Sequence, residues 1–303
     1  MIFKEKIFEI EDAIRPEMQR LLELANENQN HEGDLLLWHV NGFYDESVLG
    51  FKGRNPHVVG PGHEGHSEHT HYKFIHEYRT NNISPITLEE YLDKIEFKKG
   101  GYTKEQEQLK FEEEISVQSE MLIYLKFWES DLIIKRLYQL ARLLNGESYD
   151  WYFKLSSNPK EKETTSARHE VIRLYIRDKI EKHAPMIAKL IRDTYKTQIR
   201  NAIAHSNYWI VNRRIGLTNY VKKDKFSQLR NISFDEWIDI FHNTLILQDK
   251  LIKMGILINE FYAKKVASRG NVMPISITEK SGKQYELPLE YRAKFKEWSY
   301  KQS

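Results

Sequence analysis

Apolar residues recur at helical spacing along most of this chain. Residues 8–28 place Ile14, Met18, Leu21, Leu22 and Ala25 on one side, which predicts an amphipathic helix. Glycine and proline then interrupt residues 31–82, at Asn41-Gly42, Gly50, Gly53, Pro56, Gly60-Pro61-Gly62 and Gly65, and predict a loop with short strands. Helix signals resume where Thr87 and Glu90 form a capping box and Ile86 can staple Tyr91. Thr103 and Gln106 repeat the device. From there an unbroken helix is predicted to Leu144, its stripe running through Leu125, Trp128, Leu132, Ile133, Leu137, Leu140 and Leu144, with Gly146 as its stop.

Polar residues 155–166 read as a linker, followed by helices over 167–183 and 186–204. Tyr208 to Tyr220 alternates like a β-hairpin, with Trp209, Val211, Ile215 and Leu217 as its packing residues. Ser233 and Glu236 cap a last long helix, stapled by Ile232 and Trp237, whose stripe is Phe234, Ile238, Phe241, Leu245, Ile252 and Ile256. A hairpin of residues 275–278 and 284–287 turns at Ser281-Gly282, and a short charged helix is expected to close the chain.

Hydrophobic residues make up 40% of the 303 and aromatics 12%, enough to bury a core. A formal net charge of +2 means that any nucleic-acid binding must come from a local patch. Cysteine is absent, which fits a reducing compartment and excludes thiol catalysis, disulfides and cysteine-based zinc sites. The opening Met1-Ile2-Phe3-Lys4-Glu5-Lys6 does not read as a signal peptide, and no run of about 18 apolar residues occurs. A soluble cytoplasmic protein without membrane contact is expected.

One segment carries chemistry. Arg200-Asn201-Ala202-Ile203-Ala204-His205 sets a phosphate-binding guanidinium near an imidazole that exchanges protons close to neutral pH. In an unbroken helix the two would stand about 140° apart around the axis. The helix is expected to stop at His205, because Ser206-Asn207 disfavour it, and this frees the imidazole's direction. The plainer reading is a helix C-terminus whose basic residues complement the dipole. The spacing recurs at Arg177…His183, where Glu181 and Lys182 point instead to a solvated face.

The stretch from Tyr195 to Tyr208 resembles the signature of HEPN domains, all-α domains that include many metal-independent endoribonucleases of toxin and anti-phage defence systems. The resemblance covers about residues 104–265. It implies a mainly α fold: a HEPN-like four-helix bundle at 101–265 with a β-hairpin insertion. An irregular N-terminal region at 1–100 and a C-terminal hairpin with a short helix at 266–303 would flank it. It further implies RNA cleavage by the 2′-hydroxyl, with Arg200, Asn201 and His205 as the catalytic set, no cofactor, and a homodimer that doubles the site. RNA is the expected partner, with an antitoxin or another defence-system protein beside it. Many members also carry an acidic residue that orients the motif, a place that Glu129 would fill. In members silenced by AMPylation one residue separates the His from a Tyr, whereas Ser206 and Asn207 both intervene before Tyr208 here.

Arg213, Arg214, Lys222 and Lys223, with Lys225 and Arg230, could track a phosphate backbone beside the motif or could form an ordinary solvated hairpin. Asp131 is expected to pair with Lys135 one helical turn on. His57, His63, His66, His69, His71 and His76, with Glu64 and Glu68, offer nitrogen and oxygen ligands, yet their spacing matches no established zinc pattern. They read as a His-rich polar loop, and no metal is expected.

Overall fold

The computed structural model describes residues 1–49, 51, 54–96, 101–156 and 166–301, and most of them are helical. In chain order, α1 (Lys4–Asn28) and α2 (Asp34–Val40) precede an antiparallel pair, β1 (Gly42–Tyr44) with β2 (His57–Val59). Then come α3 (Gly62–Asn81), α4 (Leu88–Ile95), α5 (Lys104–Glu129) and α6 (Asp131–Leu144). A parallel bridge of β3 (Leu155–Ser156) and β4 (Ser166–Ala167) leads into α7 (Arg168–Glu170), a π-helical segment Val171–Arg177 and α8 (Asp178–Ile180). α9 (Pro185–Thr194) and α10 (Thr197–Ala204) follow. β5 (Tyr208–Val211), β6 (Arg214–Leu217) and β7 (Asn231–Ser233) form one antiparallel sheet. After α11 (Phe234–Val266), β8 (Val272–Thr278), β9 (Gln284–Arg292) and β10 (Glu297–Tyr300) form another, in the order β10-β9-β8.

The capping boxes form where the local pattern places them, at Thr87/Glu90, Thr103/Gln106 and Ser233/Glu236. Gly146 ends α6 at φ +70, where its own N–H and that of Glu147 bond back to Leu143 and Arg142 in a Schellman arrangement.

Elsewhere the structure corrects the pattern. Residues 31–82 are not mainly loop, since α2 and the 20-residue α3 lie there. Only Ile75 and Tyr78 of α3 are buried, so the helix has no apolar stripe to show. Its Gly65 marks a tight start: a Cβ there would come within 2.5 Å of the Pro61 side chain. The predicted helix from Thr103 to Leu144 breaks at Ser130, buried and extended at φ −69, ψ 113. Ser130-Asp131 is a cap-type pair hidden inside a continuous apolar pattern. Residues 157–165 of the expected linker lie outside the described residues.

The predicted helix over 186–204 also divides, at Tyr195-Lys196, where Lys196 is extended at φ −122, ψ 113. On β5, Trp209 and Val211 are 48% and 51% exposed rather than packed, whereas Ile215 and Leu217 of β6 are buried as expected. Trp209 instead covers Gly216 opposite it, where a Cβ would fall 1.9 Å from the indole. The expected terminal helix is β10, whose Trp298 stacks at 5.0 Å on Tyr291 across the strand pair and donates to Asn259. Asp131 pairs with Arg168 at 2.5 Å, not with Lys135.

The chain groups into two compact units that each draw on three stretches, a grouping unlike the serial division read from the sequence. The first holds 1–16, 68–130 and 189–249. In it Phe3, Tyr91, Ile95 and Ile238 form a core cluster on which Ile86 packs. The buried carboxylate of Glu120 accepts from Trp237 Nε1 and the Tyr78 hydroxyl, both at 2.8 Å, and pairs with the Met1 amine. The second holds 17–67, 131–188 and 250–303. There Trp38 donates to the Arg136 carbonyl at 2.7 Å, and a Cβ on Gly255 would meet His39 and Trp38. Among the described residues no helix is long and apolar enough to cross a membrane.

Candidate functional site

The site is built in the first unit on α10, an eight-residue helix bounded by the break at Lys196 and by His205. A break inside helical chain exposes backbone groups that must find partners. Tyr124 of α5 supplies them: its buried hydroxyl donates to the Thr194 carbonyl at 3.0 Å and accepts from Lys196 N–H at 3.3 Å. Burial drives this phenol well above its ordinary pKa, so it remains a neutral donor and acceptor. The Thr194 hydroxyl closes the end of α9 on the Leu190 carbonyl at 2.7 Å.

The other end of α10 terminates as its sequence predicts. His205 is the C-cap at φ −109, ψ 11, and Ser206 turns left-handed at φ +55. Ser206 and Asn207 N–H groups bond back to Ile203 and Ala202, again the Schellman pattern. His205 is exposed.

Arg200 is half-buried, and its Nη1 donates to Glu129 Oε1 at 2.6 Å. Glu129 stands at the last position of α5, so the break at Ser130 decides where this carboxylate lies. Arg200 Nε is buried without a hydrogen-bond partner among the described residues. No hydrogen bond joins Arg200 to His205, and half-buried Asn201 accepts the His205 N–H at its backbone carbonyl. The fold thus joins Arg200 and Glu129 and leaves His205 facing solvent at the helix end.

The cations separate into two kinds. Arg213 is committed to the fold: it sits left-handed at φ +56 in the β5-β6 turn, grips buried Glu113 through Nε and Nη2 at 2.9 Å each, and reaches Asp235 at 3.0 Å. Arg214, Lys222 and Lys223 are exposed, Arg214 touching Asn231 at 3.3 Å. Lys222 and Lys223 lie in the loop between β6 and β7. Gln198 of α10 fastens that loop, donating to the Leu229 carbonyl at 2.7 Å and accepting from Leu229 N–H at 2.9 Å. Asn219 returns a bond to the Gln198 carbonyl at 2.9 Å. Gln198 has no local sequence signal, because its partners lie 21 and 31 residues away.

The expected His-rich loop is replaced by helix: His63, His66, His69, His71 and His76 lie on α3, and His57 on β2. Among the described residues no three His, Asp or Glu side chains are grouped to hold a metal ion. No family model, curated protein or solved structure matches this chain.

Proposed function

We propose that this protein is a metal-independent endoribonuclease of the HEPN type, with its site at Arg200, Asn201 and His205. The observation that carries the reading is the pairing of Arg200 with Glu129 on a short helix whose C-cap is an exposed histidine. Glu129 holds the guanidinium through Nη1 and leaves the remaining Nη hydrogens for phosphoryl oxygens. His205 exchanges a proton with the attacking 2′-hydroxyl or the leaving 5′-oxygen, an effect worth roughly 10²- to 10⁴-fold. Stabilising the charge that builds on phosphorus is worth about 10²- to 10³-fold per donor. Asn201 orients the phosphate or the backbone. Arg214, Lys222 and Lys223 carry the RNA strand, while Arg213 serves the turn beneath them. No step requires a metal or cofactor.

One Arg and one His make a sparse site. A second copy of the chain, related by a two-fold axis, supplies a second pair around the same phosphate. The helices α5, α6, α9, α10 and α11 over about 104–265 give the mainly helical content on which the proposed HEPN-like bundle rests. A toxin or defence role in the cytoplasm, with an antitoxin or similar partner, belongs to the same reading.

The test is product chemistry. RNA oligonucleotides incubated with the protein in EDTA should end in 2′,3′-cyclic phosphate and 5′-hydroxyl groups, and a 2′-deoxy substitution at the cut position should abolish cutting. Cleavage that survives the substitution rules the mechanism out. A second reading, a non-catalytic RNA- or nucleotide-binding or scaffolding module, draws on the absence of a hydrogen bond between Arg200 and His205. It predicts tight RNA binding without turnover.

A further inference from the structure

The second unit contains a cleft that shares no residue with the Arg200 region. Two hollows of about 320 and 540 Å³ have Tyr44, Tyr152 and Lys280 in common in their walls, a size range typical of small-molecule sites. Their aromatic wall is stiff. Tyr44 and Tyr152 pack at 4.8 Å, and His57 stands edge-on to Tyr44 at 5.1 Å. The two nitrogens of His57 are held by the hydroxyls of Tyr152 at 3.1 Å and Tyr285 at 2.9 Å. Side chains locked in this way present fixed π-faces to a ligand.

Lys135 supplies the opposite character. It is buried in the wall of the smaller hollow, and its ammonium donates at 2.7 Å to the Gly42 carbonyl. That carbonyl already accepts from the Tyr149 hydroxyl at 2.7 Å, and Lys135 also lies 5.5 Å from the Phe43 ring centre. No carboxylate hydrogen-bonds it among the described residues. Of the acids in the same wall, Asp131 is bound to Arg168, and Glu64 attracts the ammonium without a hydrogen bond to it. A buried ammonium without a bonded counter-ion is costly, by several kcal/mol. Lys280, exposed at the shared wall, sits 5.1 Å from the Tyr152 ring centre.

A simple inorganic anion would satisfy Lys135 but meet Glu46 and Glu64 and leave the rings unused. A neutral aromatic would leave the ammonium unpaired. We propose that this cleft binds a nucleoside phosphate, its base against Tyr44 and Tyr152 and its phosphate drawn to Lys135 and Lys280. The acids of the wall can accept from amino and ring N–H donors of the base. The phosphate can belong to a free mononucleotide or to the end of an RNA strand.

Calorimetric titration of the full chain tests this with the four nucleoside monophosphates, their nucleosides, inorganic phosphate and a 5′-phosphorylated trinucleotide. At least one monophosphate should bind about tenfold or more tightly than its nucleoside or phosphate alone. Tyr152→Ala and Lys135→Met should each weaken it by about tenfold. Lys280→Ala, at an exposed position, should weaken binding without changing the melting temperature, which keeps the test sound if a buried variant misfolds. Trinucleotide binding equal to the monophosphate assigns an RNA end, and weaker binding assigns the free nucleotide. Absence of saturation below about 1 mM for every monophosphate and the trinucleotide, or wild-type binding by both Lys280→Ala and Tyr152→Ala, overturns the proposal. Neither result depends on Arg200 or His205.

Discussion

Glu129 is the residue on which the candidate site turns. Its carboxylate is about one-third exposed and its partner Arg200 about one-fifth, at 34% and 19%. Such a pair contributes little to stability, under about 1 kcal/mol, but it sets where a long flexible guanidinium points. Glu129→Gln should therefore leave the unfolding free energy nearly unchanged while RNA cleavage falls by about ten- to a hundredfold. Urea denaturation and initial rates on one labelled RNA check the two together. An unaltered rate would assign Glu129 no part in positioning. The sequence held part of this: the Arg200…His205 spacing is visible and the family resemblance offered Glu129, but the contact itself spans 71 positions, a separation no local pattern encodes.

At the level of elements, the caps were legible because they are local. Thr87, Thr103 and Ser233 each meet a partner three residues on, within one helical turn. The breaks were not legible. The stripe through Leu125 to Leu144 runs past Ser130, and the divide between α9 and α10 is satisfied by Tyr124, 70 positions from Thr194. α3 escaped for the opposite reason, since a polar helix with two buried residues has no stripe to read. If the Tyr124 hydroxyl fills the gap at Lys196, Tyr124→Phe removes a buried bond to the Thr194 carbonyl and a part-buried one from the Lys196 N–H, and should cost about 2 kcal/mol. Hydrogen exchange at the Lys196 amide should accelerate with it. A loss below about 0.5 kcal/mol with unchanged exchange would mean that the divide holds without the hydroxyl.

For the whole molecule, Lys135 makes stability depend on pH in a defined direction. Burial, opposed by Glu64 and Asp150 and assisted by Arg136, brings its pKa down from 10.5 to about 8. Between those values the unfolded chain holds a proton that the folded chain has released, so this group's penalty is full below pH 8 and fades as pH rises toward 10.5. The shift corresponds to about 3 kcal/mol. Lys135→Met removes the penalty. Its unfolding free energy relative to wild type should be most favourable near pH 7 and should decline by about 1 to 2 kcal/mol by pH 9.5. A difference that stays flat with pH would mean that Lys135 titrates as an ordinary lysine.

The mainly helical character was legible from spacing alone, whereas the grouping into two units was not, because each gathers three distant stretches. The most direct measurement is cleavage of labelled RNA in EDTA by wild type, His205→Ala and Arg200→Ala, each checked for an unchanged melting temperature. Wild type should cut, and each variant should lose about a hundredfold or more. Equal cutting by all three proteins, or binding without cutting by wild type, would contradict the nuclease reading.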